Sequence, residues 1–333
     1  MNDRALRTSL WLFCVSAALA LTSGEGVLAA TPPDPAAMQA AREAYEKTPD
    51  TVGTGRYAAI KETLPSLPNH VVYRPRDLSR LGTQKLGVVA WGNGGCSADG
   101  ASARLHLLEI ASHGYLAIAN GTILSGPGSP PHPAPPMPIP GQPLKIPPPA
   151  THAQALTEAI NWAIAENGRE GSALYHRINP AWIAVSGWSC GGLQALEVAA
   201  DPRIRTVIIH SSGIFQPGAA PNDEMNIGKA TLAKLHAPII YILGGPSDIA
   251  YANGMDDFQH IDRVPAVVAN LDVGHGGTFM DPNGGREAAV AVSWLDWQLK
   301  GDQGASHEFV GPQCGLCRNP EWTVQRKREA SGR

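Results

Sequence analysis

The feature that most constrains the fold is a regular alternation of apolar, strand-like runs and helix-like segments in the second half of the chain. From residue 151 to residue 301, four apolar runs are separated by stretches with helical spacing. Each run is apolar nearly throughout, which is typical of a strand buried on both faces of a parallel sheet. We therefore predict an α/β protein with a mostly parallel central sheet flanked by helices on both faces.

The first half contributes three more strand-like runs. The predicted strands are 70–75, 85–91, 115–119, 181–187, 204–213, 237–245 and 264–272. The predicted helices are 36–48, 102–114, 152–167, 191–201, 251–261 and 285–301. No internal repeat and no second domain is evident.

The N-terminus has the pattern of a secretory signal peptide. Arg4 and Arg7 precede an apolar run from Leu10 to Leu21, and small residues follow it. This pattern predicts cleavage near Ala29 or Ala30 and a secreted or periplasmic protein. The apolar run is too short to span a bilayer, so no stable membrane anchor is expected.

The domain organisation follows from these segments. Residues 1–30 are predicted to be the signal peptide, and 31–68 a linker with a short helix. Residues 69–301 form one predicted domain, and 302–333 a C-terminal extension with a Cys-x-x-Cys motif. Within the domain, 125–150 is so rich in proline that we expect a stiff loop, either a rim of the functional site or a solvated spacer.

Charge and cysteine content exclude several partner classes. The 333-residue chain has a net charge of −3 and no basic stripe before its last residues, so nucleic acid is not expected as a partner. Cys96, Cys190, Cys314 and Cys317 remain after signal removal, and an even number in an oxidising compartment predicts disulfides. The last two form a Cys-x-x-Cys motif outside any strand-then-helix context and without two further ligands nearby in sequence, which favours a local disulfide over a redox or zinc site, and no metal is expected. The sequence does not indicate the oligomeric state.

A Gly-x-Ser-x-Gly motif, Gly187 to Gly191, lies between a predicted strand and a predicted helix. On such a turn a serine presents its hydroxyl at the edge of the sheet, and the flanking residues must be small. The helix that follows points its first amides at the same place. This context favours Ser189 as a nucleophile over an ordinary strand-to-helix connection.

A serine nucleophile needs a base and an acid that orients the base. His275 lies in a glycine-rich loop after the last predicted strand, and His210 is a weaker candidate. Asp248 follows a buried strand and completes the chain order Ser, Asp, His, whereas Asp272 is the rival because it lies three residues from His275. Asp256 and Asp257 are expected to be surface charges.

A second glycine-rich loop, Trp91 to Gly95, follows an early strand. This is the place from which a second donor to a developing oxyanion should come. We expect the amide of Asn93 or Gly94 to act together with that of Cys190.

With these motifs, "WGNGGC", "GWSCGG", "GGPSDIA" and "VGHGG", the chain resembles the α/β-hydrolase superfamily over about Val71 to Lys300. It looks most like secreted esterases of the dienelactone-hydrolase-like, chlorophyllase-like and polyester-degrading kinds. The last kind carries Gly-x-Ser-Met-Gly-Gly, so Cys190 is a departure. The resemblance implies a single α/β-hydrolase domain, a Ser189–His275–Asp248 triad and ester hydrolysis without a metal or organic cofactor.

The same resemblance implies that the loops of Cys96 and Cys190 meet, so a disulfide between them is a hypothesis; the alternative is two small buried apolar residues. Trp91, Trp188 and Tyr251 are candidates for lining a substrate pocket, or are simply core residues.

The predicted function is therefore that of a secreted serine esterase acting on a small-molecule or polymeric ester through an acyl-enzyme. A serine peptidase or amidase with the same fold is the first alternative, because the same three side chains would serve it. A non-catalytic binding protein is less favoured, because every member of the proposed triad is present in order.

Overall fold

A nine-stranded sheet organises the part of the chain that the structure describes, residues 35–129 and 148–328 of a computed structural model. The strands are β1 (Ala59–Leu64), β2 (Leu67–Pro75), β3 (Leu86–Gly92), β4 (Tyr115–Asn120), β5 (Ile178–Trp188), β6 (Thr206–His210), β7 (Ile239–Leu243), β8 (Ala266–Leu271) and β9 (Trp322–Lys327). The helices are α1 (Pro35–Lys47), α2 (Arg104–Ser112), α3 (Gln154–Gly168), α4 (Cys190–Val198), α5 (Tyr251–His260), α6 (Gly285–Lys300), α7 (Gln303–Ser306) and α8 (Gly315–Arg318).

The sheet is parallel at its centre and antiparallel at its edges. Its strand order is β1-β2-β4-β3-β5-β6-β7-β8-β9, and the six strands from β4 to β8 in that order pair in parallel. β1 and β2 pair antiparallel at one edge, and β9 pairs antiparallel with β8 at the other. The carboxyl ends of the central strands therefore open onto the same edge, where loops from different strands can meet.

Helices cover both faces because side chains alternate along each strand. Val88 and Ala90 of β3 point into one hydrophobic cluster, together with Leu156 of α3 and Leu193 of α4. The intervening Val89 points into the cluster on the opposite face, which α2 and α6 cover. The fold-class prediction of a mostly parallel sheet with helices on both faces is confirmed.

All seven predicted strands and all six predicted helices correspond to elements of the structure, with shifted ends. The elements that the sequence did not reveal are the short helices α7 and α8 and two edge strands, β1 and β9. The side chains of these two strands are mostly half-buried or exposed, so they lack the apolar runs by which the other strands were predicted.

Several predictions fall partly or wholly outside the described residues. The signal peptide, its cleavage site and most of the proline-rich segment lie there. The described sheet extends on both sides of the range 69–301, and the predicted domain limits stay a prediction. Within the described residues, no helix is long and apolar enough to cross a membrane.

Candidate active site

Ser189 lies on the sharp turn between β5 and α4. Its backbone has φ 54° and ψ −122°, a conformation that a non-glycine residue adopts only when its surroundings impose it. Its N–H donates to the carbonyl of His210 at 2.9 Å, and its carbonyl accepts from the hydroxyl of Ser212 at 2.7 Å. These bonds to the last residue of β6 and to the segment that follows it hold the strained turn in place.

Three glycines allow the turn to pack against the end of β3. A Cβ on Gly191 would lie 2.0 Å from the carbonyl oxygen of Gly92, and a Cβ on Gly187 would lie 2.2 Å from that of Gly191. A Cβ on Gly92 would in turn lie 2.6 Å from the Gly191 carbonyl oxygen. The three backbones, here called the glycine contact, are therefore too close for any side chain.

His275 lies between Ser189 and Asp248. Its Nε2 is 2.9 Å from the Ser189 hydroxyl oxygen, and its Nδ1 is 2.6 Å from Oδ1 of Asp248. The structure thus brings together three side chains separated by up to 86 positions in the sequence. With the proton on Nδ1, the imidazole donates to Asp248 and its Nε2 can accept the serine proton.

Asp248 is buried beside β7, with 4% of its surface exposed. Burial raises its pKa, but the hydrogen bond from His275 and those from the amides of Ala250 and Gly244 outweigh it, so the pKa lies below its usual value. Asp248 is consequently a carboxylate at neutral pH, which is the form that orients and stabilises an imidazolium.

The rival acid and the rival base have other partners. Asp272 accepts a hydrogen bond from the Ser247 hydroxyl at 2.9 Å and makes none with His275. Asp256 forms a partly exposed ion pair with Lys229. Asp257, in contrast, is fully buried and accepts hydrogen bonds from the Ile214 amide and from Lys229. The expectation that Asp257 is a surface charge is therefore wrong, because it ties the loop after β6 to α5.

His210 accepts the hydrogen bond from the Ser189 amide through its backbone carbonyl. Its ring packs edge-on against His106, with centroids 4.9 Å apart, and near Trp91 at 5.5 Å. The nitrogens of both imidazoles have no hydrogen-bond partner within the described residues. Burial lowers the pKa of His106 to about 3 and, with His106 adding to the effect, that of His210 well below its usual value. Both rings are therefore neutral parts of the core beneath the site.

A disulfide joins the loop after β3 to the start of α4. The sulfur atoms of Cys96 and Cys190 are 1.94 Å apart and their Cα atoms 5.2 Å apart, so the hypothesised pair lies at bonding distance. The second predicted pair, Cys314 and Cys317, is at 2.13 Å. The first disulfide directly links the two segments from which oxyanion donors are expected.

The candidate oxyanion donors lie on both sides of this disulfide. Cys190 is the first residue of α4, where helical amides have no partner within the helix. Gly94 opens a short 3₁₀ turn, and a Cβ there would lie 2.3 Å from the Trp188 ring. The side chain of Asn93 is buried and donates to the carbonyls of Ser97 and Asn120. The choice between the amides of Asn93 and Gly94 stays open.

The three candidate pocket residues occupy different environments. Trp91 is fully buried among other rings and has the position of a core residue. Trp188 is partly exposed, and its indole N–H donates to the carbonyl of His275 at 2.9 Å. Tyr251 is partly exposed at the first position of α5. Trp188 thus supports the loop that carries His275, a contact that the sequence did not suggest.

Two exposed apolar residues, in the loops that carry Asp248 and His275, were not singled out from the sequence. Ile249 follows Asp248 and is 73% exposed, and Met280 lies five residues after His275 and is 47% exposed. Large apolar residues with this exposure are few in the described chain. Both could have been noticed in the sequence, since each is an apolar residue in a loop that carries a proposed triad member.

Removing the Cys96–Cys190 disulfide should destabilise the protein strongly. Replacing both cysteines with alanine should lower the free energy of unfolding by about 4–5 kcal/mol, because the loop-entropy relation gives that value for a separation of 94 residues. The matched control is Cys314→Ala with Cys317→Ala, where the separation of 3 predicts only about 2 kcal/mol. Urea unfolding of both double variants measures the difference, and equal losses would contradict the explanation.

Gly191→Ala should be more damaging than its size suggests. Overpacking by a methyl group costs about 1–3 kcal/mol, and here the added carbon meets backbone that cannot rotate away. We expect a loss at or above the top of that range. Gly168→Ala is the control, because a Cβ there meets no atom within 4 Å. Thermal unfolding should show little change for the control, and similar behaviour of the two variants would contradict the glycine contact.

Within the described residues, no group of three or more His, Cys, Asp or Glu side chains is placed to hold a metal ion. Comparison of the chain with models of known protein families gives no match, and comparison with curated proteins gives none either. The proposal for function therefore depends on the residues and geometry of the site itself.

Proposed function

We propose that this chain is a serine hydrolase of the α/β-hydrolase superfamily that cleaves carboxylic esters. The single observation that carries the proposal is the continuous hydrogen-bonded series from the Ser189 hydroxyl through His275 to Asp248. A nucleophile, a base and an orienting acid in this geometry are the parts that acyl transfer needs. The parallel sheet, with Ser189 on a strained strand-to-helix turn, supports the superfamily assignment.

The reaction proceeds in two halves. The Ser189 oxygen attacks the ester carbonyl while Nε2 of His275 takes its proton, and the resulting imidazolium is stabilised by Asp248. Collapse of the tetrahedral intermediate breaks the bond to the alcohol, which leaves with the proton from His275. Water then attacks the acyl-serine with His275 again as base, releasing the carboxylic acid and restoring the serine.

The negative oxygen of the tetrahedral intermediate needs donors that are already in place. The amide of Cys190 and that of Asn93 or Gly94 fill this role, and removing one such donor typically costs about 2.7–4 kcal/mol of transition-state stabilisation. The Cys96–Cys190 disulfide and the glycine contact both hold these segments together. They reduce the reorganisation needed when the charge develops.

The rim of the site favours an uncharged, apolar part of the substrate. Ile249 and Met280 expose apolar surface on the loops that carry Asp248 and His275, and the partly exposed Trp188 contacts the His275 backbone. Such a surface suits either a small ester or a segment of an ester polymer. Two disulfides and the N-terminal signal pattern support a secreted or periplasmic location.

Ser189→Ala should abolish ester hydrolysis without disturbing the fold. In a comparable serine hydrolase, loss of the nucleophile lowers kcat on the order of 10⁶-fold, and we expect a loss of that order here. Turnover of p-nitrophenyl esters of increasing acyl length, with matching p-nitroanilides, measures activity and distinguishes an esterase from an amidase. Circular dichroism checks the fold. Retained hydrolysis in the variant, or faster turnover of the anilides, would refute the assignment.

The two candidate acids can be separated by matched substitutions. Asp248→Asn should lower kcat by about 10⁴-fold, because the amide favours the wrong imidazole tautomer. Asp272→Asn should change kcat only a few-fold, since Asp272 bonds to Ser247. Steady-state kinetics on one p-nitrophenyl ester compares them directly. The reverse order of effects would transfer the orienting role to Asp272.

A further inference from the structure

A buried carboxyl group lies under the loop that carries His275. Glu287 is in the first turn of α6 and is fully buried. Glutamate is seldom buried without a partner, because removing its charge from water is costly. Its Oε1 has no hydrogen-bond partner within the described residues. The mechanism above makes no use of this group, so its position calls for an explanation.

Glu287 contacts the backbone just after His275. Gly277 has φ +55°, and a Cβ there would lie 2.4 Å from Oε2 of Glu287, so the carboxyl group packs directly on this glycine. The Thr278 amide donates to the same oxygen at 3.4 Å. In the other direction, the Glu287 amide donates to the Thr278 hydroxyl oxygen at 3.1 Å, and that hydroxyl donates to the Gly284 carbonyl at 2.8 Å.

Burial and the carboxyl groups near Glu287 oppose its ionisation. Burial raises its pKa to about 8 against the lowering effect of the Thr278 hydrogen bond. Asp248, from the loop after β7, and Asp281, just before α6, raise it further, whereas Arg286 on the same helix lowers it. Asp272 and His275 are the other titratable groups on the loop between β8 and α6. A raised pKa means that the carboxyl keeps its proton at neutral pH and loses it only as the pH passes about 8.

We propose that Glu287 is a positioning residue that holds the His275 loop in the geometry needed to reach Ser189 and Asp248. This inference rests on the proposed function. The uncharged carboxyl fits between α6 and the loop, and its packing on Gly277 sets where the chain turns back from His275. Ionisation places a carboxylate charge in a fully buried position, where Asp248 and Asp281 oppose it and Arg286 offsets it only in part, so the loop is driven from this position.

The test compares Glu287→Gln and Glu287→Ala with the unsubstituted protein from pH 6 to pH 10. We expect kcat of the unsubstituted enzyme to fall above about pH 8, as Glu287 ionises. Glu287→Gln keeps the shape without the charge, so it should retain near-normal kcat at pH 7 and lose this alkaline fall. Glu287→Ala removes the packing and should lower kcat by about 10- to 100-fold, with KM changed less than about twofold.

Glu109→Gln is the matched control, since Glu109 is also buried but bonds to Thr54 instead of the His275 loop. It should leave the alkaline fall unchanged even if it lowers stability. An alkaline fall that persists in Glu287→Gln would overturn the proposal. If Glu287→Ala folds and keeps the kcat of the unsubstituted enzyme, the proposal is overturned as well.

A readout that needs no substrate separates this proposal from the proposed function. The Nδ1 proton of His275, hydrogen-bonded to Asp248, should give a low-field proton NMR signal that disappears in Asp248→Asn. In the unsubstituted protein the signal should weaken above about pH 8, and in Glu287→Gln it should persist. An identical pH dependence in both proteins overturns the role of Glu287. Failure of the unsubstituted protein to hydrolyse esters or to react with a fluorophosphonate refutes the proposed function alone.

Discussion

The close backbone contact of Gly92, Gly187 and Gly191 is the constraint on which the rest of the site depends. Because these three residues have no side chain, the end of β3 and the turn after β5 approach each other more closely than a residue with a Cβ would allow. Ser189, which lies between Gly187 and Gly191, has a positive φ on the turn that follows β5 at the carboxyl edge of the sheet. The loop after β3 comes alongside α4, where Cys96 meets Cys190. Replacing one of these glycines would disturb the turn that bears Ser189 and the loop after β3 together.

Much of this arrangement could be predicted because the relevant signals are local. Apolar runs predicted the central strands, since strands buried on both faces leave little room for polar residues. The edge strands β1 and β9 carry charged and exposed side chains, as edge strands do to avoid pairing with other chains, and so gave no such signal. Their positions are set by pairing with β2 and β8, which a local pattern does not encode.

The same distinction applies to the site. Ser189, Asp248 and His275 were predicted from their places after strands, and the structure brings these side chains together. The environment of each was less predictable. Asp257 looked like a surface charge because its helix is polar, yet Lys229, Tyr241 and the Ile214 amide converge on it from other segments. Burial of Glu287 likewise depends on a loop that folds over α6, which only the tertiary structure reveals.

The core beneath the site contains two fully buried histidines. His106 and His210 lie edge-to-face under the segment that bears Ser189, with uncharged rings and no hydrogen-bond partners within the described residues. Imidazoles in this state act as flat, rigid packing elements in place of acids or bases. Both rings pack against Trp91 and Phe279, and Phe279 in turn packs against Trp188.

The Cys96–Cys190 bond makes the rigidity of the site depend on the oxidation of two cysteines. Cysteines pair durably in oxidising compartments and stay as thiols in a reducing cytosol. A chain whose cysteines stay reduced would therefore hold the loop after β3 and the start of α4 together without this covalent link. Oxidation of the two cysteines would join these segments covalently, so the redox state of the surroundings decides how firmly the site is held.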